Sequence, residues 1–98
     1  MDTTLYVEKS TNPDKKFMVK VDNKTIHFGS SGHSDYTIHG DKERMLRYLA
    51  RHKKRENWTK SGIKTAGFWS RWLLWSEPDI DKATKHIERI SGYKVKII

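Results

Sequence analysis

Apolar residues in this chain follow two different periods. As far as Gly29 they tend to alternate with polar residues, and from Asp41 onward they recur every three or four positions. The alternating part predicts strands. Thr4–Lys9 has Leu5, Tyr6 and Val7 at its centre. Phe17–Asp22 sets Phe17, Val19 and Val21 against Met18 and Lys20, the pattern of a half-buried strand. Thr25–Gly29 puts Ile26 and Phe28 on one side, and a turn at Asp22-Asn23-Lys24 joins the last two runs into a hairpin. Thr11-Asn12-Pro13-Asp14 supplies another turn. Gly29-Ser30-Ser31-Gly32 predicts a flexible loop, and disorder is expected only in the first residues and over 30–37.

The helical period predicts three helices. The first starts after Asp41, a capping residue, and runs to about Arg55 with Met45, Leu46, Leu49 and Ala50 recurring. Met45 and Leu49 share its apolar side, and Tyr48 lies on the border, placed either to seal the core edge or to stack on a base. A polar connection over 56–64 leads to Thr65, which caps a second helix at Ala66–Ser76. Here Phe68, Trp72 and Trp75 line one side, Trp69 and Leu73 widen it, and Leu74 points elsewhere. Such an aromatic stripe is a core face, or else a partner or base-stacking surface. Ser76-Glu77-Pro78-Asp79 reads as a break and a new capping box, with Asp79 three residues after Ser76, and a third helix follows to about Ile90, with Ile80, Ala83, Ile87 and Ile90 inward and Ser91-Gly92 at its end. Tyr93–Ile98 alternates again and predicts a closing strand. Strands and helices thus segregate along the chain. That order predicts an α+β fold: a small antiparallel sheet of three N-terminal strands plus a C-terminal strand, with three helices packed mainly on one face. Residues 1–98 are expected to form one basic domain.

Composition changes this picture in two ways. Only 35% of the 98 residues are hydrophobic while 33% are charged, so the 4 Trp, 4 Tyr and 3 Phe must supply much of the buried area. There is no cysteine, which excludes disulfides and thiolate metal sites and fits a reducing compartment. The first twenty residues contain Asp2, Glu8 and Asp14 without a long apolar run, so neither a signal peptide nor a membrane span is expected.

Charge narrows the candidate chemistry. The formal net charge is +8, and residues 42–64 hold nine Lys or Arg against Glu43 and Glu56. Concentrated charge attracts polyanions, nucleic acid among them, although a solvated helix face would look the same in sequence. On the first helix Arg44, Arg47, Arg51 and Lys54 are spaced 3, 4 and 3, opposite the apolar side. Arg55 adds to this group. Lys60, Ser61, Gly62, Lys64 and Thr65 lie just before the second helix, where free N–H groups favour an anionic oxygen, or where Thr65 simply caps. The candidate phosphate contacts are therefore Arg44, Arg47, Arg51, Lys54, Arg55, Lys60, Ser61 and Lys64. No feature predicts base specificity.

No catalytic constellation accompanies them. His27, His33 and His39 are six apart and His52 lies on the first helix, but these spacings match no familiar metal motif. Gly29-Ser-Ser-Gly-His-Ser34 lacks the Lys-Ser/Thr ending of a phosphate loop, and no nucleophile turn occurs. A non-enzymatic protein without metal or cofactor is expected.

Several stretches resemble a family of small uncharacterised proteins from large double-stranded DNA viruses of algae and amoebae. They are Lys24-Thr-Ile-His-Phe-Gly29, Ser34-Asp-Tyr-Thr37, Arg47-Tyr-Leu-Ala-Arg-His52 and the Trp-rich run Asn57–Trp75. The resemblance covers roughly residues 17–78, and the ending departs from it. It implies a viral protein in the infected host cell, in cytoplasm or nucleus, or in the virion, with DNA and capsid or core proteins as candidate partners. Two functions follow as expectations: phosphate-backbone binding of nucleic acid with low sequence specificity, or a virion structural or adaptor role through the Trp-rich helix.

Overall fold

A computed structural model describes residues 3–98, so the expectation for the first two residues lies outside the described part. Strands β1 (Thr4–Lys9), β2 (Lys15–Val21) and β3 (Lys24–Ser30) come first. Helices α1 (Tyr36–His39) and α2 (Lys42–His52) follow, then a 3₁₀ turn at Lys60–Gly62. Helix α3 (Ala66–Trp69) continues directly into a π-helical turn, Ser70–Leu74, and α4 (Ile80–Ser91) leads to β4 (Lys94–Ile97). The fold is α+β, with three strands near the N-terminus and one near the C-terminus.

The sheet order is β3-β2-β1-β4. The two hairpin pairings are antiparallel, with Val7 opposite Val19 and Val19 opposite Ile26. β4 differs from the expected antiparallel arrangement, because it runs parallel to β1 with Leu5 opposite Val95. The cause is the path of the chain: a parallel neighbour needs a long crossover, and everything between β1 and β4 provides one. Alternate side chains Leu5, Val7, Val19, Val21, Ile26, Phe28 and Val95 form the inner face, onto which Phe68, Trp69, Leu73, Leu74, Ala83 and Ile87 pack. Two caps are those the sequence predicts: Asp41 accepts from the N–H groups of Glu43 and Arg44, and Thr65 from that of Phe68. At α4 the cap is Asp79, which accepts from the Asp81 N–H, while Ser76 instead donates its hydroxyl to the Trp72 carbonyl. Gly92 closes α4 at φ 81°, a left-handed conformation suited to glycine.

Three sequence expectations change. Leu74, placed away from the apolar stripe by α-helical spacing, is fully buried. The π turn holds more residues per turn and so rotates Leu74 inward beside Leu73, leaving Trp72 and Trp75 half-buried on the flanks. On α2 the buried pair is Met45 and Tyr48, while Leu49 is half-buried and Leu46 is exposed. The 30–37 segment is not wholly loop, since Asp35 caps α1 and is itself buried.

Candidate functional site

A groove of about 540 Å³ runs between the β2–β3 edge, the 30–35 loop, α2 and the start of α3. Its floor is aromatic and its rim cationic. Tyr48, one of two inward residues of α2, stacks on Trp75 with ring centroids 4.3 Å apart and planes 3° apart. One helical turn on, His52 stacks on the other side of Tyr48, again at 4.3 Å. The three rings form a column that ties α2 to the Trp-rich segment. His39 meets Trp75 at 5.4 Å, so α1 joins the same assembly. Burial pushes the Tyr48 hydroxyl well above the usual tyrosine range; Glu56 adds to this, while Arg71, a Ser70 hydrogen bond and Arg51 pull the other way.

The groove wall opposite α2 depends on an ion pair that the sequence does not announce. Lys16 Nζ lies 2.5 Å from Asp35 Oδ2. The other oxygen of Asp35 accepts from the backbone N–H and hydroxyl of Thr37. A carboxylate buried this far must be paired, and here the pairing fixes the loop against the strand. Across the groove, His52 Nδ1 and Glu56 Oε1 are 3.4 Å apart. Glu56 occupies the space beside Gly67, where a Cβ would come within 2.6 Å of Oε1. The ionic lining is thus Lys15, Lys16, Arg44 and Arg51 against Asp35 and Glu56. With Lys16 engaged by Asp35, Lys15, Arg44 and Arg51 are its cations with no salt bridge to a described residue.

The eight candidate contacts do not all come together. Arg44 and Arg51 line the groove and Arg47 is exposed on the adjoining face of α2. The helix ends at His52, so Lys54 and Arg55 belong to the turn after it, where the Arg55 N–H bonds to the His52 carbonyl. None of these five, nor Lys60, makes a salt bridge to a described residue. Lys64 does: its Nζ is 2.8 Å from Asp22 at the β2–β3 turn, and that hydrogen bond holds its proton more tightly than usual. Ser61 is also committed, accepting from Asn57 Nδ2 and lying 3.0 Å from the Thr59 hydroxyl. The N–H groups of Gly62, Ile63 and Thr65 bond to carbonyls within the same turn. The 60–65 segment therefore satisfies itself and braces the hairpin. Sequence reasoning missed Lys15, Lys16, Asp35 and Glu56 as groove residues; the four-residue spacing of Tyr48, His52 and Glu56 is the one local signal that pointed there.

The Trp-rich segment is largely consumed inside the molecule. Trp69 is fully buried with its Nε1 donating to the Ile63 carbonyl at 2.7 Å. Trp72 Nε1 donates to the Trp58 carbonyl, and the Arg71 guanidinium lies 4.3 Å from the Trp72 ring centroid. Burial lowers the Arg71 pKa. Among the described residues no group of three or more His, Asp or Glu side chains is placed to hold a metal ion. Among the described residues no helix is long and apolar enough to cross a membrane.

Comparison with known proteins adds one finding. No curated protein and no solved structure matches the chain. Residues 5–52, from β1 to the last residue of α2, match the model of a family described as a family of unknown function (DUF5754).

Proposed function

We propose that this protein binds nucleic acid through its phosphates, using the cationic face of α2 and the groove beside it, with little sequence specificity. One observation carries this reading. Arg44, Arg47, Arg51, Lys54 and Arg55 crowd one short helix and the turn after it, with no salt bridge to a described residue. Like charges at helical spacing of three and four cost about 0.2–0.5 kcal/mol per pair. A polyanion lying along them removes that repulsion and releases its own counterions. Arg44 and Arg51 are seven residues apart, about 10 Å along the helix axis, which is about three nucleotide steps of a stacked strand.

The setting suggested by the viral resemblance, an infected cell or a virion, is part of this proposal and offers DNA as the partner. The alternative adaptor role would have to use the exposed parts of Trp72 and Trp75, since Phe68 and Trp69 have none.

The test is a titration of the protein with DNA and RNA oligonucleotides at two salt concentrations. Four phosphate contacts give a log–log salt slope of about −3. Arg47, Arg51 and Lys54 reversed together to Glu should abolish binding at the higher salt. Affinity that ignores salt, or survives the triple reversal, refutes the proposal.

A further inference from the structure

We infer that the groove accepts a single-stranded nucleotide segment, with one base stacked on His52 and the adjoining phosphates on Arg44 and Arg51. This rests on the nucleic-acid reading above and specifies the strand state it selects. The carrying observation is the ring column. Trp75 and Tyr48 are parallel to within 3°, His52 stacks on Tyr48 with a 26° tilt, Tyr48 is buried between its two neighbours, and His52 ends the column. Among the described residues His52 meets no ring except Tyr48, and its side chain keeps 31% of its surface exposed where it lines the groove. A flat, part-exposed ring that meets no second ring can continue into a fourth ring, and every nucleobase offers one. Tyr48 packs on its other face and Glu56 Oε1 lies 3.4 Å from its Nδ1, and both contacts favour this orientation of the ring. The phosphate partners are adjacent: Arg51 precedes His52 in the chain, and both arginines line the same groove.

Strand state follows from geometry. A duplex base already stacks on both faces and shows a protein only its edges. A groove of about 540 Å³ is of small-ligand size, enough for a base and its sugar but not for a duplex. The site therefore discriminates strands by access to the base face, and stacking tolerates any base.

The experiment compares three labelled probes of equal length: an oligo(dT) single strand, a duplex, and a single strand of abasic sites. The wild-type protein should hold oligo(dT) roughly tenfold more tightly than either of the others, the scale of one base–ring stack. His52→Ala should erase that preference, bringing oligo(dT) down to the affinity of the duplex and abasic probes, while His52→Phe, which keeps a ring, should retain it. If all three probes bind wild type equally, or if His52→Ala weakens all three alike, the stacking site is wrong while phosphate binding stands. If no probe binds at low salt, the nucleic-acid reading fails and this inference fails with it. Should the alanine variant lose its fold, the phenylalanine variant still decides: a folded His52→Phe protein without strand preference overturns the inference.

Discussion

Tyr48 shows how one residue sets the character of the site. Its phenol is buried between an indole and an imidazole, and burial raises its pKa above the ordinary tyrosine range, with Glu56 adding to the shift. An unfolded tyrosine ionises near pH 10. Below that pH both states keep the proton, and the group adds no pH dependence. Above it only the unfolded state loses the proton, so stability falls as pH rises, by up to about 1.4 kcal/mol per pH unit. Urea midpoints measured between pH 9 and pH 11.5 should therefore decline, and Tyr48→Phe should flatten the decline. Sequence placed Tyr48 on the helix border and left its role open between sealing and stacking. The structure makes it a seal, packed between Trp75 and His52. Lys16 and Asp35 were not legible at all, because nineteen positions separate them and only the folded sheet edge brings them to 2.5 Å.

Elements with their own local signals were the legible ones. Caps at Asp41 and Thr65 and the glycine stop at Gly92 are written in short windows, and each forms as those windows predict, while the break at 76–79 was legible but its cap is Asp79 and not Ser76. Asp41→Ala should cost about 1 kcal/mol, read as a lower urea midpoint with an unchanged m-value, because two N–H groups lose their acceptor. The same substitution should weaken oligonucleotide binding only mildly, since no proposed contact is removed. The π turn was illegible for the opposite reason. Its sequence fits an α-helix equally well, and the choice is made by tertiary packing that draws both Leu73 and Leu74 inward. The cationic stripe was half legible: α2 carries it as far as Arg51, but the helix stops at His52 and the last two cations follow a turn that periodicity does not predict.

At the scale of the whole molecule the order of elements gave the α+β class, while the direction of the last strand needed the three-dimensional path. β1 has β2 on one side and β4 on the other, and Thr4 faces Lys94 from 90 positions away. The segment that matches the family model holds three strands and the cationic helix, yet it lacks Phe68, Trp69, Leu73, Leu74, Ala83 and Ile87, which cover the inner face. That segment is half of a core. A chain ending at Ser91 should lose cooperative unfolding and bind an apolar dye, which circular dichroism melting and fluorescence would report. The parallel pairing also has a consequence for synthesis. A ribosome releases β1 long before β4, so until β4 emerges β1 is an open sheet edge carrying Leu5 and Val7. Such an edge can pair with another copy of itself. Nascent chains that lack β4 are therefore a form of this protein prone to aggregate, and rapid translation through β4 shortens that exposure.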